Sequence, residues 1–461
     1  MTRFVLAGAL VSLLVGGISC RRRPLPAAPG AARDAGFPST VDGAYDADAS
    51  DVPGRCPAGL DLSFAQQGRG EIDSAISIIE SVLVQPDGKV VALGESLTAL
   101  QGDSVLVFGA VRLGADGRPD SSFGRNGTST VQLPPKGGQV RGGALQTDGK
   151  VIVVGSAYSS DAVWFVARFD QDGALDPSFG STGFAPVPIA DAVPSSVALA
   201  ADGSILVAGT VRVPLDGYCC DGNVVVAKYD PHGSLDPKFG AGGLVVTPVG
   251  VANGDDYASA LVVQPDGRIV VAGNAYVATD GGGPPQEEGM LLRFTSAGAL
   301  DSAFGSNGIA LIDRYRRANT LALQGDGKLL VSVSEGSDAN ELVVARYTTA
   351  GALDVSFGSG GATRIALPPA DGGARGGVAS ALFSLRDGST VVAGPADGQG
   401  FFLVKLGADG ARDAAFARND GVLDTQLAAG AAVVGPDGRA VVAGSRRGDA
   451  GGLAVVERYC P

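Results

Sequence analysis

Histidine is nearly absent from this chain of 461 residues and cysteine is scarce, with one and five residues respectively. The single histidine, His232, lies in the turn Asp230-Pro231-His232-Gly233, which favours a solvated turn residue over a catalytic base. No C-x-x-C pair and no histidine near a cysteine could complete a zinc set. We therefore expect no bound metal and no cofactor.

Basic residues are also in deficit. There are 35 lysines and arginines against 48 aspartates and glutamates, a net charge of −13, so we expect no nucleic-acid partner. The G-x-S-x-G elbow of hydrolases and the D-x-[DN]-x-[DN]-G loop of calcium sites are both missing. The carboxylate pairs Asp255-Asp256 and Glu287-Glu288, together with Asp313, could still ligate calcium or act in catalysis. Only their separation across a cleft would decide this.

The N-terminus has the pattern of an export signal. Arg3 precedes an apolar run over 4–15 that is too short to span a membrane, and the run leads to Gly17-Ile18-Ser19-Cys20. This end resembles a bacterial lipobox, which predicts a signal peptide over 1–19 and a lipidated Cys20. The alternative is an ordinary secretory signal. Because Arg21 is not aspartate, the sorting rule of Gram-negative bacteria favours the outer membrane.

Residues 20–55 follow as a segment rich in proline, alanine, aspartate and glycine. Such a composition cannot bury enough apolar surface to offset its ordering entropy. We expect a lipidated cysteine and a disordered tether with a reach of roughly 30–35 Å, which would hold the folded body clear of the membrane.

The rest of the chain repeats one motif, seen most clearly as Leu300-Asp301-Ser302-Ala303-Phe304-Gly305. Seven copies occur, and their aspartates lie 53 to 65 residues apart. These are Asp61, Asp120, Asp176, Asp236, Asp301, Asp354 and Asp413. Repeats of this length indicate stacked or ringed structural units.

Each unit contains the signals of four antiparallel strands. In one example an apolar run over 261–263 ends in the turn Asp266-Gly267, and a second apolar run follows over 269–272. Asp-Gly between two such runs predicts a hairpin with a primed turn. Near-continuous apolar runs predict burial on both faces. Four strands, seven times, predict an all-β, seven-bladed β-propeller over 56–461. A stacked solenoid is the alternative.

The motif order Gln-Pro-Asp-Gly, Ile-Val-Val-Ala-Gly, Ala-Arg-Tyr and Gly-x-Leu-Asp-x-Ser-Phe-Gly resembles the delta-60 repeat family of bacterial, often myxobacterial, surface proteins. The resemblance covers 56–461. It implies a propeller and no established biochemical activity.

A basic residue lies eight positions before the repeat aspartate in six units, as in Arg168 and Asp176. We expect these pairs to brace turns; a ring of ligand contacts is the alternative. The seventh pair would join Arg458 to Asp61 from opposite chain ends. We therefore predict that residues 60–72 supply the outer strand of the last blade.

The cysteines fit this closure. The register places Cys56 beside Cys460, and export makes a disulfide between them plausible; free thiols are the alternative. Cys219 and Cys220 are adjacent, and we favour a disulfide there also.

Function should lie on the face that carries the variable loops, because loops on a rigid scaffold usually do the binding. The longest span 211–221 and 278–288, and 249–257, 313–319 and 368–377 add to them. Our candidate residues are Asp216, Tyr218, Asp221, Asp255, Asp256, Tyr257, Glu287, Glu288, Arg314 and Tyr315. These loops could also be merely tolerated insertions.

The sequence thus favours an exported, lipid-anchored monomer that binds a protein or glycan, or serves as a scaffold. A propeller hydrolase or lyase with carboxylates at the central channel is the alternative, and a purely structural envelope component is a third.

Overall fold

The computed structural model describes residues 59–72, 76–100, 103–132, 138–158, 162–186, 189–214, 220–251, 254–279, 283–312, 315–334, 342–370, 373–375, 377–396, 400–416, 421–425, 427–446 and 454–460. Within these ranges every regular element is a β-strand, which confirms the all-β prediction.

The described chain begins with two short strands, β1 (Gly59–Leu60) and β2 (Arg69–Ile72). Three four-stranded sheets follow. Blade 1 is β3 (Ile78–Val84), β4 (Val90–Leu100), β5 (Asp103–Leu113) and β6 (Thr128–Gln132). Blade 2 is β7 (Gly138–Leu145), β8 (Val151–Tyr158), β9 (Ala162–Phe169) and β10 (Phe184–Pro186). Blade 3 is β11 (Ala192–Leu199), β12 (Ile205–Pro214), β13 (Cys220–Tyr229) and β14 (Leu244–Thr247).

The next sheets repeat the pattern. Blade 4 is β15 (Tyr257–Val263), β16 (Ile269–Val277), β17 (Gln286–Phe294) and β18 (Ile309–Ile312). Blade 5 is β19 (Arg317–Leu323), β20 (Leu329–Ser334), β21 (Leu342–Tyr347) and β22 (Ala362–Ile365). An extra hairpin, β23 (Leu367–Ala370) and β24 (Gly373–Arg375), precedes blade 6, which is β25 (Ala381–Ser384), β26 (Thr390–Pro395), β27 (Phe401–Leu406) and β28 (Val422–Thr425).

Blade 7 joins the two ends of the chain. Its inner strands are β29 (Leu427–Val434), β30 (Ala440–Arg446) and β31 (Ala454–Cys460), and β1 and β2 both pair with β31 as its outer neighbours. Gly59 lies opposite Cys460, and Ile72 lies opposite Ala454. The predicted closure of a seven-bladed ring by residues 60–72 is therefore confirmed.

The first strands of neighbouring blades pack against one another around the centre of the ring, and β29 packs on β3 to complete it. Seven buried apolar clusters fill the seven interfaces between blades. Along β16, Val270 and Ala272 pack toward blade 5, whereas Ile269 and Val271 pack toward blade 3. The apolar runs are thus buried on both faces, as predicted.

The Asp-Gly turns form hairpins, but the predicted turn type is wrong. In the first turn, Gly88 has a φ of 81° and its N–H donates to the carbonyl of Gln85, while Asp87 is not among the residues with positive φ. A type I′ turn would need a positive φ at both Asp87 and Gly88, and a type II′ turn would need it at Asp87. The chain instead makes a three-residue loop whose last position requires glycine, because a Cβ there would be strained.

Candidate functional site

One face of the ring carries the first-to-second turns and the Leu-Asp-x-x-Phe-Gly elements; we call it the latch face. The arginine that ends the third strand organises each copy. In blade 2 the Nε of Arg168 donates to Oδ2 of Asp176 at 2.9 Å, and its guanidinium lies 4.6 Å from the ring centre of Phe179. Its Nη1 donates to the carbonyl of Pro231 in blade 3 at 2.6 Å. This cluster, which we call the latch, ties each such blade to the next.

The same latch recurs in five blades. The arginines are Arg112, Arg168, Arg293, Arg346 and Arg458, and their bonds cross to carbonyls of Gln171, Pro231, Thr349, Ala408 and Ala115. The closing pair, Arg458 and Asp61, has an Nε to Oδ2 distance of 2.8 Å. The predicted pairs are therefore turn braces.

Blades 3 and 6 carry a weaker latch. Lysine replaces arginine there, with Lys228 3.2 Å from Asp236 and Lys405 3.8 Å from Asp413. In the same two blades the residue after the Asp-Gly turn is Ser204 or Ser389. In the other five it is a lysine or arginine that also reaches the repeat aspartate.

The latch controls the protonation of its aspartates. Burial alone would raise the pKa of Asp176, but hydrogen bonds from Ser178 and Lys150 and the charge of Arg168 outweigh it and hold that pKa far below its usual range. Asp120 and Asp354 show the same lowering of the pKa, with Ser356 as the largest cause at Asp354. These carboxylates stay charged at neutral pH, and their hydrogen bonds are made to neighbouring groups of the latch.

The opposite face, which we call the variable face, carries the second-to-third and blade-to-blade connections. Strands β12 and β13 pair over ten residues each, and β16 and β17 pair over nine. The corresponding strands of blades 5 and 6 have only six residues. The hairpins of blades 3 and 4 therefore extend further, in the sector that the sequence singled out.

Three candidate residues form a brace between blades 3 and 4. Asp255 accepts hydrogen bonds from the N–H of Gly222 at 3.0 Å and from the hydroxyl of Tyr257 at 2.9 Å. A Cβ at Gly222 would lie 2.8 Å from Oδ1 of Asp255, so a larger residue there would displace this carboxylate. Asp256 is buried and accepts from the N–H groups of Val249 and Gly250. Burial raises the pKa of Asp256, and burial and the charge of Asp255 raise the pKa of Tyr257.

A second brace joins blades 4 and 5. Oε1 of Glu287 accepts from Nδ2 of Asn274 at 2.7 Å and from Nε of Arg317 at 3.0 Å. The carbonyl of Tyr315 accepts from the N–H of Gly289, and the Tyr315 ring is buried in the apolar cluster of this interface. Asp255, Asp256, Glu287 and Tyr315 are thus structural contacts at the base of the variable loops.

Other candidate residues remain at the surface or outside the described part. Asp221 and Glu288 are half-buried on the extended hairpins. Asp216, Tyr218, Arg314, Asp313, Cys20, Cys56 and Cys219 lie outside the described residues. Cys220 opens β13, but its side chain is not described. Cys460 takes part in a disulfide bond, and its pairing with Cys56 stays a prediction.

The sequence reasoning missed a group on the first two strands of blade 1 and the first strand of blade 2. Glu80 and Glu95 are each 4% exposed, and the N–H of Val140 donates to Oε2 of Glu95 at 3.0 Å. Glu80 and Arg141 occupy the same position in blades 1 and 2, the extra residue of a β-bulge in the first strand. Bulges re-aim side chains, but no local sequence pattern marks them.

The eleven-residue strands β4 and β5 were missed as well, because their connection contains no long loop. Within the described ranges no group of three or more histidine, cysteine, aspartate or glutamate side chains could hold a metal ion. The same ranges contain no helix long and apolar enough to cross a membrane.

Comparison with known families adds a repeat assignment. The family described as "Domain of unknown function (DUF5122) beta-propeller" matches four segments, 85–123, 146–179, 264–304 and 324–357. Each segment begins at a first-to-second turn and ends at the Phe of a repeat motif. The chain is a β-propeller repeat protein. The match covers blades 1, 2, 4 and 5 and less than half of the chain.

Several solved structures are similar in architecture. One is a protein of unknown function from Dyadobacter fermentans, with 16% identity, 85% of this chain and 97% of that chain covered, and a TM-score of 0.40. The polysaccharide lyase Uly1 has 12% identity, with 84% of this chain and 78% of that chain covered, and a TM-score of 0.40. A gluconolactonase from Xanthomonas campestris has 12% identity, with 88% of this chain and 99% of that chain covered, and a TM-score of 0.33. Scores this low carry no argument about activity. No curated protein matches the chain.

Proposed function

We propose that this β-propeller is a cell-envelope lipoprotein with delta-60-type repeats that binds a protein or glycan through the variable face of blades 3 to 5. The contrast between its two faces carries the proposal. On the latch face the repeated charged groups are bound to one another. On the variable face the extended hairpins present side chains to solvent, including Tyr276, which is 37% exposed, and the exposed Arg212.

The arrangement suits recognition better than covalent chemistry. The braces formed by Asp255 and Glu287 fix the bases of the hairpins, so the exposed side chains project from a rigid support. An aromatic ring beside charged side chains can stack on a sugar or a peptide and hydrogen-bond to it. The net charge of −13 argues against a strongly anionic ligand.

The test is capture of a partner from the producing cell's envelope extract with the mature chain. One variant replaces 215–219 and 279–285 by short Gly-Ser loops, and a second carries Tyr276→Ala. A matched control replaces the tip of the blade 1 hairpin, residues 99–104. We expect a partner that the control retains and both variants lose. Equal capture by all four proteins, or none by any, would contradict the proposal.

An enzyme is the second candidate, and the buried Glu80 and Glu95 beside the inner strands favour it. A buried carboxyl group can serve as a general acid when protonated and as a general base when ionised. This candidate predicts hydrolase or lyase turnover that Glu80→Gln or Glu95→Gln abolishes and the loop replacements leave intact. A substrate panel without turnover would remove it.

A further inference from the structure

The N-terminal segment joins the ring on the latch face of blade 7. Gly59 lies opposite Cys460, and Leu60 lies opposite Tyr459 at the end of β31. Tyr459 also pairs with Ala440, which directly follows the first-to-second turn of blade 7. Strand β1 therefore begins at the latch side of blade 7.

The same face carries the most exposed large hydrophobic side chains of the described residues. Val355 is 73% exposed and Leu62 is 69% exposed. Both occupy one repeat position, directly after the aspartate, in blades 5 and 7. Blade 6, between them, has the exposed Ala414 there, and Leu353 in blade 5 is 41% exposed. We call Leu353, Val355, Ala414 and Leu62 the apolar arc.

The arc is confined to one side of the ring. The equivalent positions in the other blades are Ser121, Pro177, Pro237 and Ser302, so neither blade 1 nor blade 4 has an apolar residue there. Turn geometry does not demand a large side chain, since serine, proline and alanine all serve at this position. Because Val355, Ala414 and Leu62 share one repeat position, the ring places their exposed side chains at the same level on the latch face, where one flat surface can meet all three.

We propose that the apolar arc rests on the lipid bilayer, so that the variable face points away from the membrane. This inference depends on the lipid anchor of the proposed function. A tether with a reach of roughly 30–35 Å would leave from blade 7, beside Leu62, and hold the arc at a high effective concentration near the bilayer. Weak insertion of a few apolar side chains then suffices for contact. The tether thus allows the ring to touch the membrane, whereas its composition alone suggested that it holds the ring away from the membrane.

The acidic ring makes a zwitterionic surface a better partner than an anionic one, because charge repulsion opposes the latter. Contact would therefore come from apolar side chains at the interface and not from a basic patch. A second copy of this chain is the competing occupant of the arc.

The experiment uses the acylated full chain in phosphatidylcholine vesicles with and without brominated acyl chains, which quench tryptophan. Reporters are Leu62→Trp and Val355→Trp, and the matched control is Ser302→Trp at the same repeat position on the other side. The native Trp164 is 1% exposed within the ring and gives a constant background. We expect at least twofold stronger quenching at 62 and 355 than at 302.

A further reporter, Ala414→Trp, should lose its quenching when Leu62→Ser and Val355→Ser are combined with it. If mass spectrometry shows that Cys20 is acylated and quenching is equal at all positions, the membrane contact is overturned and the lipid anchor is supported. An unacylated Cys20 would overturn both. A blue shift of the 62 and 355 reporters on raising protein concentration without vesicles would assign the arc to a second copy and overturn the membrane contact.

Discussion

The residue that follows the glycine of the second strand can accept a hydrogen bond from the neighbouring blade, and whether it does depends on the residue that faces it. In blade 3, Oγ1 of Thr210 accepts from the N–H of Ala258 in blade 4 at 3.3 Å, and Glu95 accepts from Val140 in the same way. In blade 2 the corresponding Ser156 hydroxyl is buried and has no hydrogen-bond partner among the described residues. The facing residue there is Pro194, which has no N–H to give.

This difference predicts opposite outcomes for two similar substitutions. Thr210→Val should cost about 1–2 kcal/mol of unfolding free energy, because it strands the N–H of Ala258. Ser156→Ala should be neutral or stabilising by up to about 1 kcal/mol, because it removes an unpaired buried hydroxyl. Urea unfolding midpoints measure both. A loss at position 156 as large as that at 210 would refute the assignment.

The latch aspartates predict a dependence of stability on pH. The folded-state pKa of Asp176 lies below its unfolded value, so its stabilisation is complete above the unfolded pKa of about 4 and is lost as the pH falls toward the folded-state pKa. Asp176→Asn should therefore destabilise the ring at pH 7, and the deficit should shrink by pH 2. Urea midpoints across this range test it, and a deficit independent of pH would contradict it.

The contribution of Asp256 to stability should change with pH in the direction opposite to that of Asp176, so Asp256 serves as the control. Burial raises its folded-state pKa, so the wild type loses stability as the pH rises from about 4 through that pKa. Asp256→Asn should remove this loss, because the amide oxygen can still accept from Val249 or Gly250. The free energy of unfolding of the variant, relative to that of the wild type, should thus increase as the pH rises.

At the scale of elements, the latch explains why the blades differ in how firmly they are joined. A backbone hydrogen bond also joins neighbouring blades, and blade 3 keeps it: the N–H of Gly240 donates to the carbonyl of Ala297 in blade 4. In the blades with an arginine latch, Nη1 donates to the carbonyl of the residue just before this backbone acceptor. The equivalent residue for blade 3 is Ser296. Lys228 has a single nitrogen, so it cannot reach both Asp236 and the crossing carbonyl as an arginine does with Nε and Nη1.

An upgraded latch should stabilise this joint. Lys228→Arg combined with Ser204→Lys is expected to add about 1–2 kcal/mol, from one hydrogen bond to the carbonyl of Ser296 and one cation–π contact with Phe239. The reverse exchange in blade 2, Arg168→Lys with Lys150→Ser, should remove a similar amount. Shifts of the unfolding midpoint measure both. No shift in either direction would mean that the arginine and lysine latches are equivalent.

Much of this element structure could be predicted from the sequence, because the repeat fixes strand order, blade count and the spacing of Arg168 and Asp176. The stacking of Arg168 on Phe179 and its bond to Pro231 could not, since they join residues that no local period relates. For the same reason Asp255 and Glu287 could be picked out as variable-face carboxylates, but their partners Gly222 and Arg317 lie 33 and 30 residues away. Sequence reasoning therefore located the extended hairpins of blades 3 and 4, but it could not identify the residues that brace them.

At the scale of the whole molecule, ring closure depends on contacts between opposite ends of the chain. Arg458 binds Asp61, and Nε of Arg69 lies 2.7 Å from Oε1 of the buried Glu457. The Glu457 carboxylate also accepts the hydroxyl of Tyr459. These contacts hold β1 and β2 on β31, where no covalent turn connects them.

Arg458→Ala should consequently open the ring. We expect a loss of about 2–3 kcal/mol, because the buried Asp61 loses its nearest cation and keeps Arg439 at 3.6 Å, and faster amide hydrogen exchange over residues 59–72. Arg346→Ala removes the same contacts inside a continuous blade. It should cost a similar free energy and leave exchange over 59–72 unchanged. Equal exchange in both variants would show that closure does not depend on this latch.

If the variable face binds the partner and the latch face of blade 4 does not, in-cell photo-cross-linking will distinguish the two faces. A photoreactive side chain would replace Tyr276 on the variable face, and in a second protein Ser302 on the latch face. We expect a cross-linked macromolecule of defined mass at position 276 and none at position 302. A macromolecular adduct at 302 alone, or at neither position, would contradict it.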